Sequence, residues 1–148
     1  MSGSVVIRDL ETRDLGELLE LLSHLTSAPA LSKEELEQVH SRRVLAGVHT
    51  RVAVCTTTLK IIGTASLFVE PKFFRGGKSV GHIEDVVTHP DRRGQGIARD
   101  LLKSIVEVAR DSNCYKVILD CTDDMVMYYS KCGFRVSGNQ MRLDIASQ

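Results

Sequence analysis

The run Arg92-Arg93-Gly94-Gln95-Gly96-Ile97-Ala98 has the residue types and the setting to hold an anion. A β-branched segment, Ile83-Glu84-Asp85-Val86-Val87-Thr88, precedes it and reads as a strand. Leu101, Leu102, Ile105, Val106 and Ala109 follow at the three-and-four spacing of an amphipathic helix. Between a strand end and a helix start, glycines let the backbone approach a ligand, and the unpaired N–H groups of the first helical turn point at it. Arg92, Arg93 and Arg99 add positive charge to a place already favourable to phosphate. The run is not a P-loop, since no Gly-Lys-Ser/Thr follows, and it lacks the three-glycine spacing of a dinucleotide fold. A basic helix cap with a flexible turn is the competing reading.

A second basic cluster, Lys72 to Lys78, lies in a polar loop from Glu70 to Gly81 with Phe73-Phe74 at its centre. Those aromatics either pin the loop to the body or take part in a site. In a chain of formal net charge +0, local clusters suit a small anion better than a polyanion. Neither nucleic acid nor a membrane surface is therefore an expected partner. Glu84-Asp85 is a carboxylate pair suited to a cationic ligand, with a solvated strand end as the alternative. Asp120 closes a later strand, where it could orient or deprotonate an amine or simply cap the next helix.

The elements that must position these groups are legible in outline. Val5 to Arg8 reads as a strand, and Leu15, Leu18, Leu19, Leu22 and Leu25 form a helical stripe with Asp14 as its cap. Ser32 followed by Glu35 has capping-box spacing and opens a second helix through Leu36 and Val39. Segments at about 48–58 and 61–69 form a hairpin joined near Leu59-Lys60. The strand at Ile83, the glycine loop and a helix to about Ser112 come next. A buried strand follows at Lys116–Cys121, then a short helix from Asp123 to Lys131, and one or two final strands within Phe134–Ile145.

The expectation is an α/β protein with a single twisted mixed β-sheet flanked by helices on both faces. Its 148 residues and 43% hydrophobic content fit one domain spanning 1–148. No leader-like segment or long apolar run is recognised, so a cytoplasmic protein is expected. Cys55, Cys114, Cys121 and Cys132 form no Cys-x-x-Cys pair and have no histidine at zinc-ligand spacing. No metal and no disulfide are expected.

Arg93-x-x-Gly96-x-Ala98 after a Val-Val strand resembles motif A of the GNAT superfamily of acetyl-CoA-dependent N-acetyltransferases. Three further stretches narrow the likeness: Gly81-His82-Ile83-Glu84-Asp85-Val86, Asn113 to Cys121, and Tyr128-Tyr129-Ser130-Lys131-Cys132-Gly133-Phe134. Each is similar to the glucosamine-6-phosphate N-acetyltransferases, which make N-acetylglucosamine 6-phosphate on the route to UDP-N-acetylglucosamine. The resemblance runs from about Ile7 to Met141. It implies the GNAT fold, acetyl-CoA as co-substrate, and a homodimer with shared active sites.

Residue by residue, the resemblance assigns acetyl-CoA to Val86, Val87, Thr88, Arg93, Gly94, Gln95, Gly96, Ile97, Ala98, Arg99 and Tyr129. It assigns catalysis to Tyr129, as the proton source for the departing thiolate, and to Asp120, Glu84 and Asp85 near the amine. A packing tyrosine is the alternative for Tyr129. The sugar phosphate falls to Lys72, Phe73, Phe74, Arg75, Tyr115 and Lys116, together with Glu84, Asp85 and Val86, and more loosely to Thr26. Two positions depart from the pattern. Met125 stands where many relatives carry a coenzyme A-contacting asparagine, and Asp144 falls where an arginine is used on the sugar phosphate. Arg142 lies two residues away, on the same side of an extended chain. Rival readings are a polyamine or protein acetyltransferase and a non-catalytic acyl-CoA-binding protein. Lys72, Arg75 and Lys116 favour an anionic acceptor over a polyamine.

Overall fold

The computed structural model describes residues 3–146. Five strands form one sheet in the order β1-β2-β3-β4-β5. They are β1 (Val5–Asp9), β2 (Val48–Cys55), β3 (Ile61–Pro71), β4 (Ser79–Thr88) and β5 (Cys114–Ile118). All neighbours are antiparallel except β4 and β5, which are parallel. A parallel pair needs a crossover, and α3 (Ile97–Asp111) supplies it. Helices α1 (Leu15–Leu22) and α2 (Lys33–Leu45) lie between β1 and β2, and the short α4 (Val126–Lys131) follows β5.

Period-two alternation gives the sheet two buried faces. On one, Ala53, Cys55, Ala65, Leu67 and Ile83 meet Ile97, Leu101, Leu102, Ile105 and Ala109 of α3. On the other, Val52, Ile61 and Val87 meet Leu21 of α1. Gly63 brings the first turn of α3 close to the sheet. A Cβ there would stand 2.9 Å from Ile97 Cγ2 and 3.0 Å from Leu101 Cδ1. Any larger residue would push the helix start, and with it the glycine loop, away from β4.

Several local expectations are met. The Ser32–Glu35 capping box is present in both directions, at 3.1 Å each way. Others are corrected by pairing and packing. Asp14 holds the cap position of α1 without capping it. Its carboxylate instead accepts Arg8 Nη1 and Nη2 at 2.7 and 2.9 Å and the Glu11 N–H at 2.7 Å. The strand expected from Ile83 begins at Ser79, because its first residues pair with β3 and β5. The strand expected at Lys116–Cys121 is β5, Cys114–Ile118, and it is only half-buried because it forms the sheet edge. No strand forms within Phe134–Ile145 among the described residues, and the outer edge of β5 is left without a neighbour.

Candidate active site

The site is a break in the sheet. The β4–β5 ladder ends at His82 and Ile118, whereas β4 continues to Thr88. Over Glu84–Thr88 the far edge of β4 has no strand beside it among the described residues. A β-bulge sits at the same point. Ser66 faces Glu84 but Thr64 faces Val87, so one β3 residue, Ala65, opposes both Asp85 and Val86. Asp85 is the bulged residue, with left-handed backbone at φ 53. The extra residue turns Val86 toward the α3 core and Val87 toward α1, while Glu84 and Asp85 both reach solvent.

Immediately downstream, Pro90–Arg92 makes one tight turn and Gly94 and Gly96 take positive φ, 78 and 79°. A Cβ on Gly94 would meet nothing within 4 Å, so this backbone is open to a ligand. Gly96 is the N-cap of α3, and the first bond of the helix runs from Asp100 N–H to the Gly96 carbonyl. The N–H groups of Ile97, Ala98 and Arg99 are thus left free of intrahelical partners. The arginines divide. Arg92 turns inward, its Nε donating to Gln95 Oε1 at 3.0 Å and its Nη2 buried without a partner, so it does not face the loop's exterior. Arg93 and Arg99 are exposed. Ile97 and Val87 are buried in the core, which leaves only their backbone for a ligand.

Asp120 follows the end of β5 across the break. The cap of the next turn is Thr122, so the capping alternative for Asp120 is not what the chain adopts. Glu84 is held above the ordinary carboxylate range by partial burial first, then by the like charges of Asp85 and Asp120, with His82 opposing. Three carboxylates are therefore gathered at one end of the break. On α4, burial is the main cause that raises the Tyr129 phenol above its ordinary value, followed by the Cys121 and Cys132 thiols. Its ring meets Phe134 and Tyr128 edge-on, at 6.0 and 5.3 Å between centroids.

Beyond the bulge, a cleft of about 360 Å³ opens between the α1 exit and β4. Leu22, Leu25, Thr26, Pro29, Leu31 and Asp85 line it, so the loosely assigned Thr26 does share a cavity with a site carboxylate. A cationic cluster lies farther along the sheet. Arg75 Cζ and Lys116 Nζ sit 5.1 and 5.6 Å from the Tyr115 ring centroid, and Lys72 Nζ is 5.7 Å from that of Phe74. Phe74 also packs edge-on to Tyr115 at 6.5 Å. Of the two loop aromatics only Phe74 pins the loop; Phe73 is fully exposed. Lys72 is not a free cation, because Glu70 Oε2 accepts its Nζ at 2.9 Å. Glu70 belongs to no motif in the sequence, although residues two apart in extended chain share a side, which aligns Glu70 with Lys72.

A family model for GNAT acetyltransferases matches residues 16–134, which include the bulge, the glycine loop and Tyr129. The chain belongs to the GNAT family of acetyltransferases. It is 48% identical to a glucosamine 6-phosphate N-acetyltransferase of Trypanosoma brucei brucei, covering 94% of this chain and 95% of that one. It is 40% identical to a probable glucosamine 6-phosphate N-acetyltransferase of Oryza sativa subsp. japonica, over 95% and 87% of the two chains. The fold matches crystal structures of a Trypanosoma brucei acetyltransferase (TM-score 0.92, 47% identity, 96% and 100% covered) and of the Arabidopsis thaliana glucosamine-6-phosphate N-acetyltransferase (TM-score 0.90, 32% identity, 97% and 99% covered). This GNAT acetyltransferase takes its acetyl group from acetyl-CoA.

Proposed function

We propose that the chain acetylates the amine of glucosamine 6-phosphate. The carrying observation is that two opposite fields share one face of the sheet. Val80 faces Lys116 and Phe68 faces His82, so alternation along β4 puts Lys116, His82 and Glu84 on the same side. Glu84, Asp85 and Asp120 form the anionic end, suited to an ammonium group. Lys72, Arg75 and Lys116, with Phe74 and Tyr115, form the cationic end, suited to a phosphate, and the exposed Phe73 lies beside them in sequence. A polyamine would meet those cations unfavourably. The names borne by the trypanosomal, rice and Arabidopsis relatives support the same acceptor.

On the donor side, Gly94, Gln95, Gly96 and the first-turn N–H groups of Ile97, Ala98 and Arg99 would hold the pyrophosphate, with Arg93 adding charge. The unpaired edge at Val86, Val87 and Thr88 offers backbone groups to the pantetheine arm, as a neighbouring strand would. The acceptor arrives as an ammonium and must lose a proton before it can attack. Glu84, made more basic by partial burial and then by Asp85 and Asp120, takes it directly or through water. Tyr129, a phenol protonated at neutral pH and pushed further up mainly by burial, donates to the departing sulfur.

The test is a thiol-release assay with acetyl-CoA against glucosamine 6-phosphate, glucosamine, spermidine and a lysine peptide. Glucosamine 6-phosphate should give the highest kcat/KM by at least about tenfold over glucosamine, the value of a lost charge-assisted contact. Preference for spermidine or the peptide overturns the acceptor, and no turnover with any amine favours a binding protein.

We infer as well that two copies associate. The outer edge of β5 has no neighbouring strand among the described residues. The tail carries alternating apolar residues into solvent: Met141, Leu143 and Ile145 are 93, 87 and 95% exposed. Between them Arg142 Nε donates to Asp144 Oδ1 at 2.7 Å, so both lie on the other side of the extended chain. Such a segment and such an edge complement each other across a two-fold axis. Sedimentation should give twice the 16.4 kDa chain mass, and removal of residues 135–148 should give monomers. A full-length monomer at tens of micromolar would sink the dimer.

A further inference from the structure

A row of polar side chains runs along the β3–β4 ladder, from the carboxylates at the break to the basic loop. Ser66 faces Glu84, Phe68 faces His82 and Glu70 faces Val80, so these side chains share one face of the sheet. Glu70 holds a neighbour with each oxygen: Oε1 lies 2.9 Å from His82 Nε2, and Oε2 accepts Lys72 Nζ at 2.9 Å. The His82 ring packs on Phe68 at 5.5 Å between centroids. Lys72 and His82 are each 27% exposed and Glu70 36%, so these contacts are sheltered on both sides of the carboxylate. Lys72, then His82, holds Glu70 below the usual carboxylate range, so it is an ionised acceptor and takes the Nε2 hydrogen of His82.

We propose that Glu70, itself braced by His82, is a positioning residue of the acceptor site that fixes Lys72 at its phosphate end. This rests on the sugar-phosphate reading above. A lysine stem free in solvent samples many rotamers, and ordering it in advance removes a cost otherwise met on binding. An ammonium has three donors, so Lys72 keeps two for a phosphate after serving Glu70. The opposing effect is charge, because Glu70 offsets part of the positive field. Arg75 and Lys116 remain without an ion-pair partner among the described residues, and repulsion across solvent is screened by salt. Loss of position therefore outweighs the gain in field when the carboxylate is removed.

Steady-state kinetics on the full chain test this. Glu70→Gln keeps the side-chain shape and should raise KM for glucosamine 6-phosphate about tenfold, with kcat and KM for acetyl-CoA within about twofold. Glu70→Asp, which keeps the carboxylate, should recover much of the loss, and that rescue also serves if the Gln variant folds poorly. Glu70→Gln added to Lys72→Met should cost little more than Lys72→Met alone, because the carboxylate acts through the lysine. An unchanged or lowered KM in Glu70→Gln, or full additivity with Lys72→Met, overturns the role of Glu70 alone. A wild-type chain that does not acetylate glucosamine 6-phosphate overturns the acceptor reading and this role with it.

Discussion

Tyr129→Phe is expected to lower turnover by about 10²–10⁴, because it removes the hydroxyl proposed to donate as the C–S bond breaks. The ring stays, and with it the edge-on contacts to Phe134 and Tyr128, so the fold should be unaffected. KM for both substrates should barely move, since the lost interaction strengthens in the transition state rather than in the bound complex. A phenol is protonated through neutral pH at its ordinary value, and burial first, then the Cys121 and Cys132 thiols, raises that of Tyr129 further. The wild-type rate should fall on the alkaline side as that proton is lost, and this limb should weaken or move in Tyr129→Phe. Pre-steady-state traces are needed to show that chemistry limits both forms. Near-native turnover with limiting chemistry would make Tyr129 a packing residue.

Glu84→Gln should cost about 10²–10⁴ in kcat/KM, the span of a lost general base. Its pH dependence distinguishes a base from a simple hydrogen-bond partner. The wild-type group must be ionised to accept a proton, so activity is lost as pH falls through its raised pKa. Removing a like charge by Asp120→Asn lowers that pKa, because Asp120 is one of the charges that raise it. The acid limb should therefore move to lower pH in Asp120→Asn and be absent in Glu84→Gln, read from kcat/KM for the sugar across pH 4–8. An acid limb that stays in place in both variants assigns the base elsewhere.

Much of this site could be read from residue order. A β-branched run, two glycines and an amphipathic stripe specify strand, turn and helix through short-range forces alone, and β4, the glycine loop and α3 form where those signals lie. The same holds for Ser32 and Glu35, whose reciprocal bonds need only the first turn of α2. Tertiary structure settled what depends on a partner. Arg92 and Arg93 are chemically identical neighbours, and only packing beside Gln95 turns one inward and leaves the other exposed. Glu70 is brought to His82 by the pairing of β3 with β4, which residue order does not reveal. The bulge at Asp85 and the parting of β4 from β5 arise from cross-strand register, a relation between distant segments. The tail around Met141 to Ile145 has the alternation of a strand and forms none, because a strand is completed by its neighbour's hydrogen bonds and not by its own side chains.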